Sequence, residues 1–314
     1  FGLNLRRPAG GKAEDLEYGG YVQLNNLGIV RTVVAGNYQA SFGQGLVFAN
    51  VFHTGKSAYV LTAGNRVDGL RKYGSVDGAG LHGAGTTLGW KRGKVHIDFS
   101  ALYSLQHTRD TVRHHVLGAN LTMRYRRLKI GLTAAEHLYS DSVYPYRDMR
   151  YNVHYFRGSR QAVVGLNFRY NYGIFDVFGE VATAQNRHWG VGLEVGSRIM
   201  PTQGVGLILL YRYYSPWFDN TSGYAFSETS RLNDENGLYL GAEITRLRHW
   251  RWSVYGDVFR FAGVKYGIPY APSLGYDALL ETAFQPNRIW NMNLRLRARE
   301  KAKRGTYHAR YQFN

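Results

Sequence analysis

Apolar and polar residues alternate along most of the chain, in segments of about ten residues separated by turns. In residues 160–172 the even positions include Val164, Leu166 and Phe168, whereas the odd ones include Asn167. Because successive side chains of a β-strand point to opposite faces, each segment has one apolar face and one polar face. In a membrane, only a closed barrel satisfies the backbone hydrogen bonds of such strands. The pattern therefore predicts an all-β fold, a transmembrane antiparallel up-and-down β-barrel.

The number of alternating segments predicts about 16 strands, within a range of about 14 to 18, and an even number is typical of such barrels. The segment at 29–39 alternates poorly, so we expect it to face something other than lipid. The predicted strands are 1–7, 16–26, 29–39, 78–90, 94–106, 115–126, 128–138, 160–172, 174–184, 188–199, 203–214, 236–246, 250–262, 273–285, 288–299 and 305–313.

The connections between these strands alternate in length, which predicts the orientation of the barrel. Short turns are expected at 91–93, 127, 173, 201–202, 247–249 and 286–287, and long loops at 139–159 and 215–235. Outer-membrane barrels have short periplasmic turns and long outer loops. We therefore expect the short turns at the periplasmic side of an integral outer-membrane protein.

Residues 40–77 interrupt the alternation, contain several glycines and are too long for a simple hairpin. Nothing in the sequence marks a second domain, so residues 1–314 are predicted to form one barrel domain. Within it, residues 40–77 either plug or cap the lumen, or form a mobile outer loop.

The charge of the chain changes the list of expected partners. Its 39 Lys and Arg against 22 Asp and Glu give a net charge of +17, which by itself suggests nucleic acid or an anionic surface. The basic residues follow the predicted short turns and do not form one groove, so nucleic acid is not expected. The expected partners are outer-membrane lipids, both phospholipid and lipopolysaccharide, and other outer-membrane or periplasmic protein subunits. The basic residues predicted at the periplasmic interface are Arg92, Arg126, Arg127, Arg248 and Arg251.

One local sequence resembles a known family. Residues 34–48 read VAGNYQASFGQGLVF and are followed by Phe52, Gly55 and Lys56. The stretch GNYQASFGQGL resembles the G-[DN]-Y-x-x-x-F-G-Q-G-L pattern of Bacteroidota-type outer-membrane barrels that often carry an N-terminal helix-hairpin-helix region. The resemblance covers about a tenth of the chain and implies an integral outer-membrane protein. It supplies no catalytic site, and no helix-hairpin-helix segment is present here.

The alternation also places charges of both signs on the lumen face. A water-filled pore keeps such residues solvated, whereas a packed lumen holds them as ion pairs. Both arrangements remain open, a charge-paired filled lumen and a selective path for solutes. The predicted lumen charge network consists of Asp176, Glu180, Glu194, Arg198, Arg212, Glu243, Asp257, Asp277, Glu281, Arg295, Arg297 and Arg299.

The remaining candidates lie in the predicted outer loop at 215–235. Trp217, Phe218 and Tyr224 are predicted to contact another protein there. We expect no catalytic residues, metal or cofactor, and no enzyme activity. The leading functional prediction is a structural or accessory subunit of an outer-membrane protein biogenesis or secretion assembly. The alternative is a passive or selective channel for small solutes.

Overall fold

The computed structural model describes residues 1–7, 9–10, 17–49, 55–64, 67–75, 80–108, 112–145, 147–303 and 306–313. Its elements are β-strands, apart from two single-turn 3-10 helices at Val60–Thr62 and Arg150–Asn152. Within these described ranges, no helix has the length and hydropathy needed to cross a membrane. The prediction of an all-β fold is confirmed.

Seventeen strands form one antiparallel sheet. The four-residue strand β4 pairs only with the end of β3 among the described pairings, whereas β3 also pairs with β2 and β5. The other sixteen strands form the barrel wall. The strands are β1 Gly2–Arg6, β2 Glu17–Leu27, β3 Val30–Ser41, β4 Gly69–Lys72, β5 Leu81–Arg92, β6 Val95–Thr108, β7 Val112–Tyr125, β8 Leu128–Val143, β9 Gly158–Tyr172, β10 Phe175–Gln185, β11 Trp189–Thr202, β12 Val205–Tyr214, β13 Glu235–Ile244, β14 Trp250–Phe261, β15 Ser273–Phe284, β16 Met292–Lys303 and β17 Thr306–Phe313.

The outer surface of the wall is apolar, as the alternation predicts. On β9, Val164 is 42% exposed and Leu166 is 50% exposed, whereas Gln161 and Asn167 on the opposite face are buried. Neighbouring strands continue this exterior band, and Trp90 lies on it near the end of β5. Such a band with aromatic residues near the strand ends is typical of a barrel surrounded by lipid.

The connections define two ends of the barrel. The short-turn end carries the turns at 93–94, 126–127, 173–174 and 203–204, and the long-loop end carries the loops at 144–157 and 215–234. One predicted turn is displaced, because β11 continues through residues 201–202 and the chain turns at 203–204. Gly204 has a positive φ of 75°, which suits this turn, and Pro201 lies in an irregularity of the β11–β12 pairing, where a missing N–H is tolerated.

Two parts of the chain that do not belong to the wall fill the lumen. We call residues 42–49 and 55–64 the lumen segment, and residues 215–234 the inner loop. Phe48 and Val60 of the lumen segment and Phe218 and Phe226 of the inner loop are almost completely buried. Their apolar partners on the wall include Ile208, and they form two continuous clusters with the inward faces of the strands. Parts of the predicted plug at 40–77 lie outside the described residues. These parts are residues 50–54, which include Phe52, and residues 65–66 and 76–77.

Inward-facing glycines of the wall provide room for this filling. A Cβ atom at Gly165 would lie 2.6 Å from Val47 of the lumen segment, and one at Gly118 would lie 2.7 Å from the ring of Phe48. These distances are shorter than real Cβ contacts, so only glycine fits here without a shift of the lumen segment. The inner surface of the wall and the lumen segment are therefore complementary in shape and closely packed.

The position of the inner loop corrects one residue of the outer contact site predicted at Trp217, Phe218 and Tyr224, namely Phe218. Phe218 is completely buried and packs against the backbone of Gly192 inside the wall. Trp217 is half-buried between His154 and His188. Tyr224 keeps an exposed side chain, but its backbone N–H donates to Gly45 of the lumen segment. Phe218 faces the lumen because the wall provides a buried apolar surface there, whereas the contact predicted for Trp217 and Tyr224 stays a prediction.

Candidate functional site in the barrel lumen

A chain of ion pairs connects neighbouring strands of the wall with the lumen segment and the inner loop. It begins at Arg212 on β12, whose guanidinium is completely buried. Arg212 Nε donates to Glu235 over 2.6 Å, and its two terminal nitrogens donate to Asp257 on β14 over 2.7 and 3.0 Å. Buried charges of this kind are tolerated only when they are paired and hydrogen-bonded. Arg212 thus ties three neighbouring wall strands together, since Glu235 begins β13.

Lys56 of the lumen segment continues the chain. Its ammonium group pairs with Asp257 on the wall and with Glu228 of the inner loop, and its side chain is only 6% exposed. Glu228 also pairs with Arg299 and Lys301 on β16. Burial by itself raises the pKa of Glu228, but Lys56 and Arg299 outweigh burial and hold that pKa at about 2. Lys56 and Glu228 therefore link the lumen segment, the inner loop and the wall.

The chain ends at Asp277 on β15. Arg297 forms a bidentate pair of hydrogen bonds to this carboxylate, with distances of 2.9 and 2.6 Å. Arg299 approaches the same carboxylate within 3.7 Å, and the Tyr255 hydroxyl donates to it over 3.2 Å. A bidentate arginine–carboxylate pair fixes the orientation of the two groups as well as the distance between them. The ion-pair chain thus runs along five consecutive wall strands, from β12 to β16.

Two further buried carboxylates bind the backbone of the filling. Glu180 on β10 accepts hydrogen bonds from the N–H groups of Gln44 and Leu46 in the lumen segment, the first at 2.5 Å. Glu194 on β11 accepts from the N–H of Phe226 in the inner loop over 3.1 Å. The wall therefore holds both parts of the filling through hydrogen bonds from backbone N–H groups to buried carboxyl groups.

The other predicted lumen charges lie nearer the short-turn end, and all but Glu243 form ion pairs within the wall. Asp176 accepts from Arg198 over 2.9 Å and also pairs with Arg169. Glu281 pairs with Arg295 on the neighbouring strand β16. Glu243 is half-buried on β13, opposite Ser253 in the β13–β14 pairing.

Four of the five predicted interface residues lie at the surface of the short-turn end. Arg92 is exposed at the end of β5, and Arg248 is exposed in the turn before β14. The guanidinium groups of Arg126 and Arg127 lie over the rings of Tyr125 and Tyr172. These positions suit contact with lipid headgroups, because the aliphatic parts of the side chains can lie along apolar surface while the charges stay in water.

Arg251 departs from that prediction. Its guanidinium donates to Glu281 over 3.2 Å and lies 5.0 Å from the ring centre of Tyr59 in the lumen segment. The side chain therefore faces the lumen, because it follows the inward register of β14 and does not extend from the turn.

Sequence reasoning missed Lys56, Glu228 and Glu235 as members of the network. Glu235 falls one residue before the strand predicted at 236–246, and the other two lie where no alternation assigns a face. One signal was present in β12, which reads VGLILLYRYY and is apolar on both faces. A strand that is apolar on both faces indicates an inward neighbour that is also apolar.

Comparison with known proteins bears on the fold. No family model and no curated protein sequence matches this chain. Among solved structures, Wzi of Escherichia coli, a carbohydrate-binding β-barrel of the outer membrane involved in group 1 capsule assembly, is 9% identical. That alignment covers 97% of this chain and 69% of Wzi, with a TM-score of 0.50. OpdK of Pseudomonas aeruginosa, an outer-membrane protein, is 10% identical over 95% of this chain and 77% of its own, with a TM-score of 0.47. The outer-membrane channel DcaP of Acinetobacter baumannii is 10% identical over 98% and 94%, with a TM-score of 0.41.

The fold and the exterior apolar band define the class of this protein. It is an integral outer-membrane β-barrel, and the described part of its lumen is occupied by the lumen segment and the inner loop. At the identity found with Wzi, the likeness concerns the fold alone. The resemblance of GNYQASFGQGL to the Bacteroidota-type barrels stays a prediction. In the structure this stretch runs from β3 into the lumen segment.

Proposed function

We propose that the protein is an outer-membrane channel for small solutes whose lumen is closed by the lumen segment and the inner loop. The observation that carries this proposal is the size of the wall relative to what fills it. Barrels of about eight strands fill their interior with wall side chains, whereas those of about 16 to 18 strands leave an aqueous channel. Here sixteen strands enclose a space that two separate chain segments occupy.

The attachment of the filling supports the same proposal. Lys56, Glu228 and the backbone of residues 44–46 meet the wall through ion pairs and hydrogen bonds. When such a segment leaves the wall, water can replace these polar contacts. A closed channel that opens by displacement of the lumen segment follows from this arrangement.

A cross-link between filling and wall tests the proposal, because the chain has no cysteine that would interfere. Val47→Cys and Gly165→Cys place two thiols close together. A Cβ atom at position 165 would lie 2.6 Å from the present Val47 side chain, so the two cysteines can form a disulfide. We expect openings in planar lipid bilayers from the wild type and from the reduced double variant. Oxidation of the double variant should abolish its openings, and oxidant should leave the wild type unchanged.

A second candidate is a non-catalytic structural or accessory subunit of an outer-membrane assembly. The extensive apolar packing between filling and wall favours it, since such packing suits a permanently closed barrel. This candidate predicts no conductance from the reduced or the oxidised protein, together with recovery of other outer-membrane or periplasmic subunits after native purification. Absence of openings in the folded, reduced protein at both neutral and acidic pH would contradict the channel proposal.

A further inference from the structure

A pocket at the long-loop end has the composition of a ligand site. It has a volume of about 270 Å³ and is lined mainly by His114, Tyr139, Tyr144, Tyr155, Phe156 and Arg231. We propose that it binds an uncharged saccharide. The proposal is independent of whether the barrel conducts.

The aromatic walls of the pocket hold one another in place. The ring of Tyr139 stacks on that of His114 with 4.2 Å between centres and an angle of 6°. Phe156 lies next to Tyr139 at 5.7 Å, and Tyr144 keeps 56% of its surface exposed. His114 and Phe156 are buried, so the exposed ring of Tyr144 and the half-buried rings of Tyr139 and Tyr155 supply the accessible aromatic surface. The C–H face of a sugar ring is apolar and packs on such surfaces, while its hydroxyl groups point outward along the ring edge.

The polar part of the pocket favours hydroxyl groups over a carboxylate. Arg231 lies over the ring of Tyr155 at 4.0 Å, and its guanidinium donates to both oxygens of Asp219 over 2.8 Å. Asp219 is itself 97% buried and accepts the N–H of Phe156 over 2.8 Å. The positive charge is therefore matched inside the protein, yet the Arg231 side chain stays about half exposed. Its fixed orientation suits hydrogen bonds to the neutral hydroxyl groups of a sugar.

The size and position of the pocket point to a single sugar unit. Its volume is near the lower end of ligand pockets, which usually measure about 300–1,000 Å³. It lies at the end that carries the long loops, where outer-membrane barrels meet the surroundings of the cell. A monosaccharide, or the terminal unit of a longer glycan, fits this description.

Titration calorimetry of the protein in detergent tests the proposal. The probes are the methyl glycosides of glucose, galactose, mannose and N-acetylglucosamine, with glucuronate and benzoate as charged comparisons. At about 10 mM even a complex with a millimolar dissociation constant is mostly occupied. We expect at least one uncharged glycoside to bind, and to bind more tightly than either anion.

Three variants locate the binding. Tyr144→Ala and Tyr155→Ala remove aromatic surface from the pocket and should weaken binding about ten-fold or more. Tyr270→Ala removes a tyrosine of similar exposure to Tyr144 from the loop at 262–272, outside the pocket lining, and should leave binding unchanged. Heat-dependent migration in gel electrophoresis verifies that each variant retains a folded barrel. Absence of glycoside binding, binding of benzoate alone, or equal affinity in all three variants would overturn the proposal.

Discussion

The most informative perturbation of the lumen is Lys56→Met, because Lys56 pairs with the wall and the inner loop at once. Methionine has a similar length but no charge, so the change removes the ion pairs with little change in volume. Asp257 is then left with Arg212, and Glu228 with Arg299 and Lys301.

The expected cost follows from the burial of these groups. Removing one partner of a buried ion pair costs about 3–5 kcal/mol. The lower value applies here, since both carboxylates keep another cation. At about 1.4 kcal/mol for each factor of ten, the population of the undocked lumen segment should rise about 100-fold.

A thiol at Ala58 measures this population, because Ala58 is 5% exposed and the protein has no cysteine of its own. In the Ala58→Cys background, a water-soluble maleimide should react about 100-fold faster when Lys56→Met is added, provided that redocking is fast compared with labelling. Lys91→Met removes an exposed lysine at the short-turn end and serves as the matched control. Equal labelling rates in the Lys56→Met variant and its parent would show that the ion pairs do not hold the lumen segment in place.

Three other predictions concern different parts of the barrel. The ion pairs of Glu228, which hold its pKa at about 2, stabilise the protein above pH 4.5, and this contribution is lost as pH falls towards 2. The denaturant midpoint of unfolding in detergent should therefore fall over that window, and should fall less in Glu228→Gln. Gly165→Leu should force Val47 away from the wall and lower stability by about 1–3 kcal/mol, measured as the denaturant midpoint of unfolding in detergent. Leu166→Arg on the lipid face of β9 should cost about 2–4 kcal/mol in refolding into phospholipid vesicles, whereas Leu166→Ile should refold like the wild type.

Much of the wall was predictable from the sequence. The alternation in residues 160–172 assigns Leu166 to lipid and Asn167 to the lumen, and the structure confirms both. The same reasoning assigned Asp257 and Asp277 to the lumen side, where the structure also places them. The reason is that a side chain's face depends only on its position in the strand.

The filling of the lumen was less accessible to such reasoning. The loss of alternation identified residues 40–77 as different, but it could not choose between a plug and an outer loop. In residues 215–235, the aromatic residues did not indicate whether the loop faces the lumen or the outside. Phe218 was therefore predicted to lie outside, although it is buried. A loop lacks the two-residue period that tells inside from outside.

The sequence by itself therefore determined the β-barrel, its approximate strand number and the lipid face of each strand, because these depend on local backbone geometry. Only the tertiary structure decided that Lys56 meets Glu228 and Asp257, and that Val47 meets Gly165. These pairs are far apart in the chain and come together when the wall curves around the filling. Their attraction depends on burial, and burial is a property of the assembled barrel rather than of any one segment.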